Sequence, residues 1–146
     1  MLEVYNTNVV GPMVMSQVFL PLLRKASKDS LVKGMSCSKA AIVNMSSEVG
    51  SIANMLEWQR GHVIAYRCSK SALNMLSKCQ SLCLAEDGIL CVALHPGWVQ
   101  TDMGNKLGPA PLTMEQSLRG ILNTLGRLSE ENTGTFVNWE GKLVPW

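Results

Sequence analysis

Six consecutive apolar residues, Ile89-Leu90-Cys91-Val92-Ala93-Leu94, are followed directly by His95-Pro96-Gly97. The run is short for a helix, and the Pro-Gly pair ends it, so it predicts a strand buried on both faces. Strands of this kind are typical of parallel sheets whose two faces are covered by helices. We therefore expect strands and helices to alternate before and after residues 89–97.

The first half of the chain fits this expectation. Apolar residues recur every four positions at Val10, Val14, Val18 and Leu22, which predicts a helix over residues 4–25. Pro12 can begin the second part of this helix, and we expect Pro21 to bend or shorten its end. Residues 25–38 predict a loop. Residues 40–45, Ala-Ala-Ile-Val-Asn-Met, predict a second buried strand that ends at Ser46-Ser47.

The remaining segments continue the alternation. Residues 48–63 form a long connection, and connections of this length are often functional. Residues 65–86 predict a helix that Gly88 caps, with one stripe formed by Ala72, Leu76, Cys79 and Cys83. Thr113 and Gln116 form a capping box for a helix that ends near Leu128, and residues 134–139 predict a last strand before a turn at Gly141. The order predicts an α/β fold with three parallel strands and about three helices.

Composition excludes several classes of protein. The 146 residues are about one domain's length. Only 16% are charged, against an average of about 25%, so we expect some apolar surface to face a partner. A net charge of +2 is too weak for a nucleic-acid-binding surface. The uncharged residues 4–23 contain Asn, Gln, Ser and two Pro, which is too polar for a lone membrane helix.

Five cysteines without the spacing of a disulfide framework indicate a reducing compartment, and we expect a soluble, cytoplasmic protein. Cys79 and Cys83 lie four residues apart on one helix face, where a thiol or metal site is conceivable. Zinc needs three or four protein ligands, and neither His62 nor His95 has the spacing to complete such a set. We therefore predict no metal site and expect both cysteines to be buried and inert.

Tyr66 and Lys70 lie four residues apart at the start of a predicted helix and share a face. A neighbouring ammonium group and the helix N-terminus both favour the phenolate, so we expect the pKa of Tyr66 to fall. Such a tyrosine can exchange a proton with a carbonyl or an alcohol. The spacing is common by chance, however, and a solvated helix face explains it equally well when it stands alone.

Three further features lie where a ligand would bind in a parallel sheet, near the carboxyl ends of the strands. Ser47 follows the first strand, where it holds a substrate oxygen or caps a turn. Pro96-Gly97-Trp98-Val99 follows the second strand, where the glycine lets backbone approach a ligand or makes an ordinary turn. Asn8, a poor helix former, either faces solvent or distorts the helix and holds a water behind Lys70.

Taken in order, these features resemble the short-chain dehydrogenase/reductase family over the whole chain. The matching stretches are Asn8-Val9-Val10-Gly11, Ile42-Val43-Asn44-Met45-Ser46-Ser47, Tyr66-Arg67-Cys68-Ser69-Lys70-Ser71-Ala72-Leu73-Asn74 and Leu94-His95-Pro96-Gly97-Trp98-Val99-Gln100-Thr101-Asp102-Met103. The segment His95–Met103 and residues 134–141 are most similar to the sniffer-type, C-factor-like carbonyl reductases of that family.

The resemblance implies an NAD(P)-dependent oxidoreductase with a Rossmann-type sheet that interconverts carbonyls and alcohols by hydride transfer. Tyr66 would be the general acid/base, and Lys70 would lower its pKa and hold the nicotinamide ribose. Ser47 would orient the substrate carbonyl, and Asn8 would anchor a proton-relay water. Pro96, Gly97, Val99 and Thr101 would line the nicotinamide. The sniffer-like branch implies NADP(H) rather than NAD(H), and a small-molecule carbonyl or alcohol as substrate.

The chain departs from the family pattern in two places. Residues around Glu57-Trp58-Gln59-Arg60 lengthen the connection between Ser47 and Tyr66 and must loop out if the two hydroxyls are to meet. None of the twelve glycines forms the family's dinucleotide-binding turn. We therefore expect residues 1–146 to be one partial catalytic domain, the C-terminal half of such an enzyme, without the N-terminal dinucleotide-binding half. An alternative is an inactive fragment that associates with full-length subunits, or with its own copies, through the helices 4–25 and 65–86.

Overall fold

A computed structural model describes residues 1–55, 58–59 and 61–146 and has the α/β architecture predicted from the sequence. Its three strands are β1 (Ala41–Met45), β2 (Leu90–His95) and β3 (Phe136–Asn138). They form one parallel sheet in the order β1-β2-β3. Ala41 pairs with Leu90 at the start of β1, and Leu94 pairs with Val137 on the other side of β2.

A helix precedes each strand, as predicted. The first helix comprises α1 (Leu2–Tyr5), a π-helical turn (Asn6–Val10) and α2 (Gly11–Asp29), and the backbone stays right-handed at both junctions. Helix α3 (Ile64–Cys83) connects β1 to β2, and α4 (Met114–Leu125) connects β2 to β3. Short 3₁₀ turns occupy Glu48–Gly50, Gly104–Leu107 and Glu130–Asn132.

Strand β2 forms the centre of the core, since residues 90–94 are all fully buried. Cys91 belongs to a cluster with Ile42 and Leu84, against which Leu20 and Leu23 of α2 pack. On the opposite face, Leu90, Val92 and Leu94 pack with side chains from α4 and the segment after it, such as Ile121 and Leu128. Helices therefore cover both faces of this strand, which explains why it is apolar at every position.

Several predicted boundaries are wrong. The first helix continues to Asp29, so Pro21 does not shorten it and residues 25–29 are helical rather than part of a loop. Helix α3 ends at Cys83, and Gly88 instead takes a positive φ of 65° in the turn before β2. Helix α4 ends at Leu125, three residues earlier than expected, whereas its capping box at Thr113 and Gln116 is confirmed.

The apolar stripes of the first helix and of α3 do not face the core. Val10, Val14, Val18 and Leu22 are 42–64% exposed. Cys79 and Cys83 are exposed as well, so the prediction that they are buried is wrong. The face of α3 that packs inward is instead largely polar, with Ser69, Asn74, Ser77, Gln80 and Ser81 all buried.

Hydrogen bonds compensate for the burial of these polar groups. Asn44 of β1 donates through Nδ2 to Ser77 Oγ at 2.9 Å and to Gln80 Oε1 at 2.8 Å. Gln80 Nε2 in turn donates to Ser16 Oγ of α2 at 2.9 Å. This network joins the first helix, α3 and β1 by hydrogen bonds, in addition to the apolar packing of Leu20 and Leu23.

We expect Gly120→Ala to destabilise the protein, although alanine is the better helix former by about 1 kcal/mol. A Cβ at Gly120 of α4 would lie 2.7 Å from the carbonyl oxygen of Trp139 and would also overlap the indole ring. Thr124 Oγ1 donates to the same carbonyl at 3.0 Å and holds that backbone in place. Overpacking costs about 1–3 kcal/mol, and the gain in helix propensity offsets about 1 kcal/mol of it, so the free energy of unfolding should fall by up to about 2 kcal/mol.

Urea unfolding of the purified variant measures this loss, and Gly126→Ala is the matched control. A Cβ at Gly126 meets its nearest neighbour at 3.4 Å, and the residue has ordinary right-handed backbone angles. The control should therefore unfold at the wild-type urea concentration or slightly above it. Equal midpoints for the two variants would contradict the close packing of α4 on Trp139.

Candidate active site

The functional candidates meet where β1 and β2 end. Ser46 continues the ladder of β1, since its backbone N–H donates to Leu94 O at 2.7 Å, and Ser47 is therefore the first residue beyond the sheet. Tyr66 lies in the first turn of α3, which returns the chain to the same edge. The Ser47 side chain lies close enough to the Tyr66 phenol to lower its pKa. The longer connection between the two residues therefore does not prevent their hydroxyls from meeting.

Of the four residues that lengthen this connection, Glu57 and Arg60 lie outside the described residues, as does Leu56. Trp58 and Gln59 form an exposed turn, and the Trp58 ring stacks on His62 with centroids 4.5 Å apart.

Lys70 lies one helical turn beyond Tyr66 and is 8% exposed. Its Nζ donates to Met45 O at the end of β1 at 2.7 Å and lies 5.6 Å from the centre of the Tyr66 ring. Burial lowers the pKa of Lys70. An ammonium has three N–H donors, and Met45 O is the one acceptor found for it among the described residues, so two donors are available for a ligand.

The pKa of Tyr66 changes in the direction opposite to the one expected from the sequence. Burial raises the pKa of Tyr66, and the interaction with Ser47 offsets only part of that increase. Burial disfavours the charged phenolate and is the larger of the two effects on this group. Tyr66 is therefore a neutral phenol at pH 7 and can act as a proton donor.

Asn8 lies within the π-helical turn of the first helix, so the predicted backbone distortion at this position is present. π-Helical turns are rare and occur often at functional sites. Asn8 Nδ2 donates to Ser69 Oγ at 3.0 Å, and Ser69 Oγ donates to Tyr66 O at 2.8 Å. Asn8 and Lys70 also line one cavity of about 450 Å³ between the first helix and β1.

The segment 96–101 leaves β2 at the same edge of the sheet. Gly97 adopts a φ of 89°, and a Cβ there would lie 2.6 Å from Leu112, so the turn requires glycine. Ser117 Oγ of α4 donates to Pro96 O at 2.6 Å. Val99 pairs with Leu112 in an isolated bridge, and Thr101 is exposed. The segment is thus fixed at Pro96 and Val99, while Thr101 remains accessible to a ligand.

Sequence reasoning missed two polar groups beside these residues. Asn74 Oδ1 accepts a hydrogen bond from Ser46 Oγ, while Asn74 Nδ2 is buried without a partner among the described residues. His95 Nδ1 is likewise buried and without a partner in the described part of the chain. Within the same residues, no three side chains of His, Cys, Asp or Glu are grouped so as to hold a metal ion. None of the described helices is long and apolar enough to cross a membrane.

Known proteins share both the sequence and the fold. A family model described as short chain dehydrogenase matches residues 1–111. The C-signal protein of Myxococcus xanthus is 36% identical over 147 residues, which cover 100% of this chain and 78% of that protein.

Two solved structures match the whole chain with a TM-score of 0.93. The NADPH-bound carbonyl reductase from chicken fatty liver is 53% identical, and the carbonyl reductase Sniffer of D. melanogaster is 43% identical. The chain spans 57% of each of these two structures. On the family model and the shared sequence, the chain belongs to the short-chain dehydrogenase family.

Proposed function

We propose that residues 1–146 form a partial catalytic domain of an NAD(P)-dependent carbonyl reductase, which acts on a small-molecule carbonyl or alcohol. The observation that carries the proposal is the meeting of Ser47, Tyr66 and Lys70 at the carboxyl edge of the sheet. Five free cysteines support a reducing compartment, and we assign the protein to the cytoplasm.

The residues present fit a nicotinamide cofactor at this edge. Lys70 offers two N–H donors to the ribose hydroxyls. Pro96, Gly97, Val99 and Thr101 lie in the turn that leaves β2 at the same edge, where Thr101 is exposed to a ligand. When bound, the nicotinamide supplies or accepts the hydride. We favour NADP(H) over NAD(H), because the similar chicken carbonyl reductase is described with NADPH bound.

Each of the four candidate residues has a distinct task in this proposal. Tyr66 keeps its proton at neutral pH, because burial raises its pKa, and it donates that proton to the carbonyl oxygen. Ser47 holds the same oxygen in reach of the phenol. The ammonium of Lys70 stabilises the phenolate that remains. Asn8 fixes the backbone of Tyr66 through Ser69 and anchors the water that returns the proton.

Titration of the purified, monodisperse chain with NADPH, followed by nicotinamide fluorescence, tests the cofactor site. Saturable binding at micromolar concentrations, with weaker binding of NADH, would support the proposal and would be followed by a screen of carbonyl substrates. A folded chain that binds neither nucleotide would contradict a cofactor site in residues 1–146 and would favour the second candidate function.

The second candidate function is association with copies of this chain or with longer subunits of the same family. Val10, Val14, Val18 and Leu22 present an apolar stripe on the first helix, and Met75 and Leu82 of α3 are 65% and 70% exposed. Exposed apolar stripes on neighbouring helices favour a protein partner.

Sedimentation equilibrium of the chain, with Val18→Glu as the test variant and Leu118→Glu as the matched control, measures this association. Leu118 is 59% exposed on α4, on the opposite side of the sheet. We expect oligomers that dissociate in Val18→Glu and persist in the control. Loss of association only in Leu118→Glu would instead assign the contact to α4.

A further inference from the structure

The connection between β1 and α3 joins Ser47 to Tyr66, and its described residues include little regular structure. Within its described residues, one 3₁₀ turn, Glu48–Gly50, is the only helical or strand element. Ordering such a segment costs conformational entropy, which contacts with the rest of the protein must offset. The side chain that supplies many of these contacts is Arg67.

Arg67 directly follows Tyr66 and is only 6% exposed. Among the described residues of the connection, its guanidinium donates to three backbone carbonyls: His62 O at 3.0 Å, Val49 O at 3.3 Å and Gly61 O at 3.5 Å. Val49 lies two residues after Ser47, in the arm that leaves β1. Gly61 and His62 lie in the arm that enters α3. One planar group with donors on several nitrogens therefore joins both arms.

Trp58, in the middle of the connection, also contacts the Arg67 side chain. The guanidinium carbon of Arg67 lies 5.4 Å from the centre of the Trp58 ring, which is a cation–π contact. Trp58 in turn stacks on His62, whose carbonyl accepts from the same guanidinium. Contacts at the start, middle and end of the described connection thus converge on one residue.

Backbone strain beside the arginine points to the same role. Val63, the residue before α3, has a φ of 33° and a ψ of 44°, a left-handed conformation that is unfavourable for a β-branched side chain. Strain of this kind persists only where surrounding contacts hold the backbone in place. Arg67 binds the two carbonyls directly before Val63, and its backbone N–H donates to Val63 O at 2.9 Å.

The other arm is fixed against α3 within two residues of the Arg67 contact. Gly50 packs so closely that a Cβ would lie 2.7 Å from Lys70 Cβ, and Ser71 Oγ donates to Gly50 O at 2.6 Å. The 3₁₀ turn after Ser47 is therefore held between Arg67 and the next turn of the same helix.

From these contacts we propose that Arg67 is a positioning residue: it clamps both arms of the 48–63 connection to α3 and thereby fixes the Ser47 hydroxyl against the Tyr66 phenol. The inference rests on the proposed function in one respect, namely that Ser47 and Tyr66 are the groups that meet the substrate. Arg67 acts through the backbone of the connection and is not itself a catalytic residue.

Two variants separate the shape of the guanidinium from its charge. Arg67→Met removes both, whereas Arg67→Lys keeps the charge and loses the planar fork. The matched control is Arg119→Met, because Arg119 is 73% exposed on α4 and pairs with Glu115. Hydrogen exchange of the backbone amides reports on residues 48–55 and 61–63, with the amides of β2 as the internal reference. This measurement needs neither cofactor nor turnover.

We expect exchange in both arms to rise about tenfold or more in each Arg67 variant, while β2 and the Arg119→Met protein keep wild-type rates. If Arg67→Met does not fold, the hydrogen exchange of Arg67→Lys alone tests the proposal. Wild-type exchange in Arg67→Lys, faster exchange in only one arm, or an equal rise in β2 would each overturn the clamp.

A second measurement, the ionisation of Tyr66, tests whether Arg67 positions Ser47 or only stabilises the connection. The chain has two tyrosines, so ¹³Cζ-tyrosine labelling gives one resonance each for Tyr5 and Tyr66. Loosening the connection removes the Ser47 contact that lowers the pKa of Tyr66 and reduces the burial that raises it, so the pH at which Tyr66 ionises should change in the Arg67 variants. Unchanged ionisation of Tyr66 despite faster exchange would overturn the link to Ser47. Failure to bind NADPH with both readouts as expected would refute the proposed function and leave the clamp in place.

Discussion

Replacing Tyr66 with phenylalanine will reduce carbonyl turnover by about 10²–10⁴-fold and leave NADPH binding nearly unchanged. Among the described residues, the phenol is the one group at this edge that both interacts with the Ser47 side chain and lies near the Lys70 ammonium. Phenylalanine keeps the ring and its packing but removes the transferable proton. Turnover is measured with a carbonyl substrate and the dissociation constant by nicotinamide fluorescence.

The chain spans 57% of the chicken carbonyl reductase, so the measurement is made in two proteins. One is the chain itself, and the other is a chimera in which residues 1–146 replace the segment of the chicken enzyme that they match. Tyr5→Phe is the control, because Tyr5 is the chain's other tyrosine and its hydroxyl donates to Cys68 O at 3.3 Å, away from Ser47. Turnover that survives in Tyr66→Phe, or falls equally in Tyr5→Phe, would refute the assignment of the proton donor.

The sheet could be predicted from the sequence because its central strand is apolar at every position. Residues 90–94 are buried between helices on both faces, so no alternation with solvent-facing residues obscures the pattern. The capping box at Thr113 and Gln116 could also be predicted, because both of its hydrogen bonds join residues that are close in sequence.

Which face of each helix turns inward could not be predicted in the same way. Val14, Val18 and Leu22 gave the correct helix, yet these side chains are exposed. The inward face of α3 is polar because Asn44, on the neighbouring strand, offers hydrogen bonds to Ser77 and Gln80. Hydrogen bonds between residues so far apart in sequence produce no periodic pattern of apolar residues along the helix. The exposed positions of Cys79 and Cys83 follow from the same cause.

The sequence predicts which side chains of the candidate site come together, because that depends on their spacing. It does not predict the pKa of those side chains, because that depends on burial. The four-residue interval between Tyr66 and Lys70 and the position of Ser47 after a strand brought three functional groups together correctly. The pKa of Tyr66 was misjudged because the desolvation of the phenol depends on packing by distant segments. The role of Arg67 could not be predicted for a similar reason, since its acceptors among the described residues are backbone carbonyls, which carry no sequence signal.

Acidification will destabilise the protein through His95, the last residue of β2. Its side chain is 14% exposed, and burial lowers its pKa from 6.5 to about 4. The nearest carboxylate is Glu48, whose Oε2 lies 3.5 Å from His95 Nε2. Attraction between the two charges would raise the pKa of His95, so burial outweighs that attraction and the histidine is neutral at pH 7.

The sign of the effect follows from the lowered pKa. An imidazole that stays neutral in the folded state stabilises the protein fully above the unfolded-state pKa of 6.5, and this contribution is lost as the pH falls towards about 4. The two pKa values differ by about 2.5, which corresponds to about 3 kcal/mol. Burial raises the pKa of Glu48, so Glu48 acts in the opposite direction on acidification, but Glu48 is more exposed and its effect is smaller.

Urea unfolding between pH 7 and pH 4 measures the loss, and the difference between wild type and His95→Gln isolates it from the carboxylates that titrate over the same range. The variant should lose about 3 kcal/mol less than wild type. His62→Gln is the control, because His62 is the chain's only other histidine and is exposed, and its profile should follow that of wild type. Parallel profiles for wild type and His95→Gln would mean that the imidazole is accessible to water and that this edge of the sheet is less tightly closed than its burial indicates.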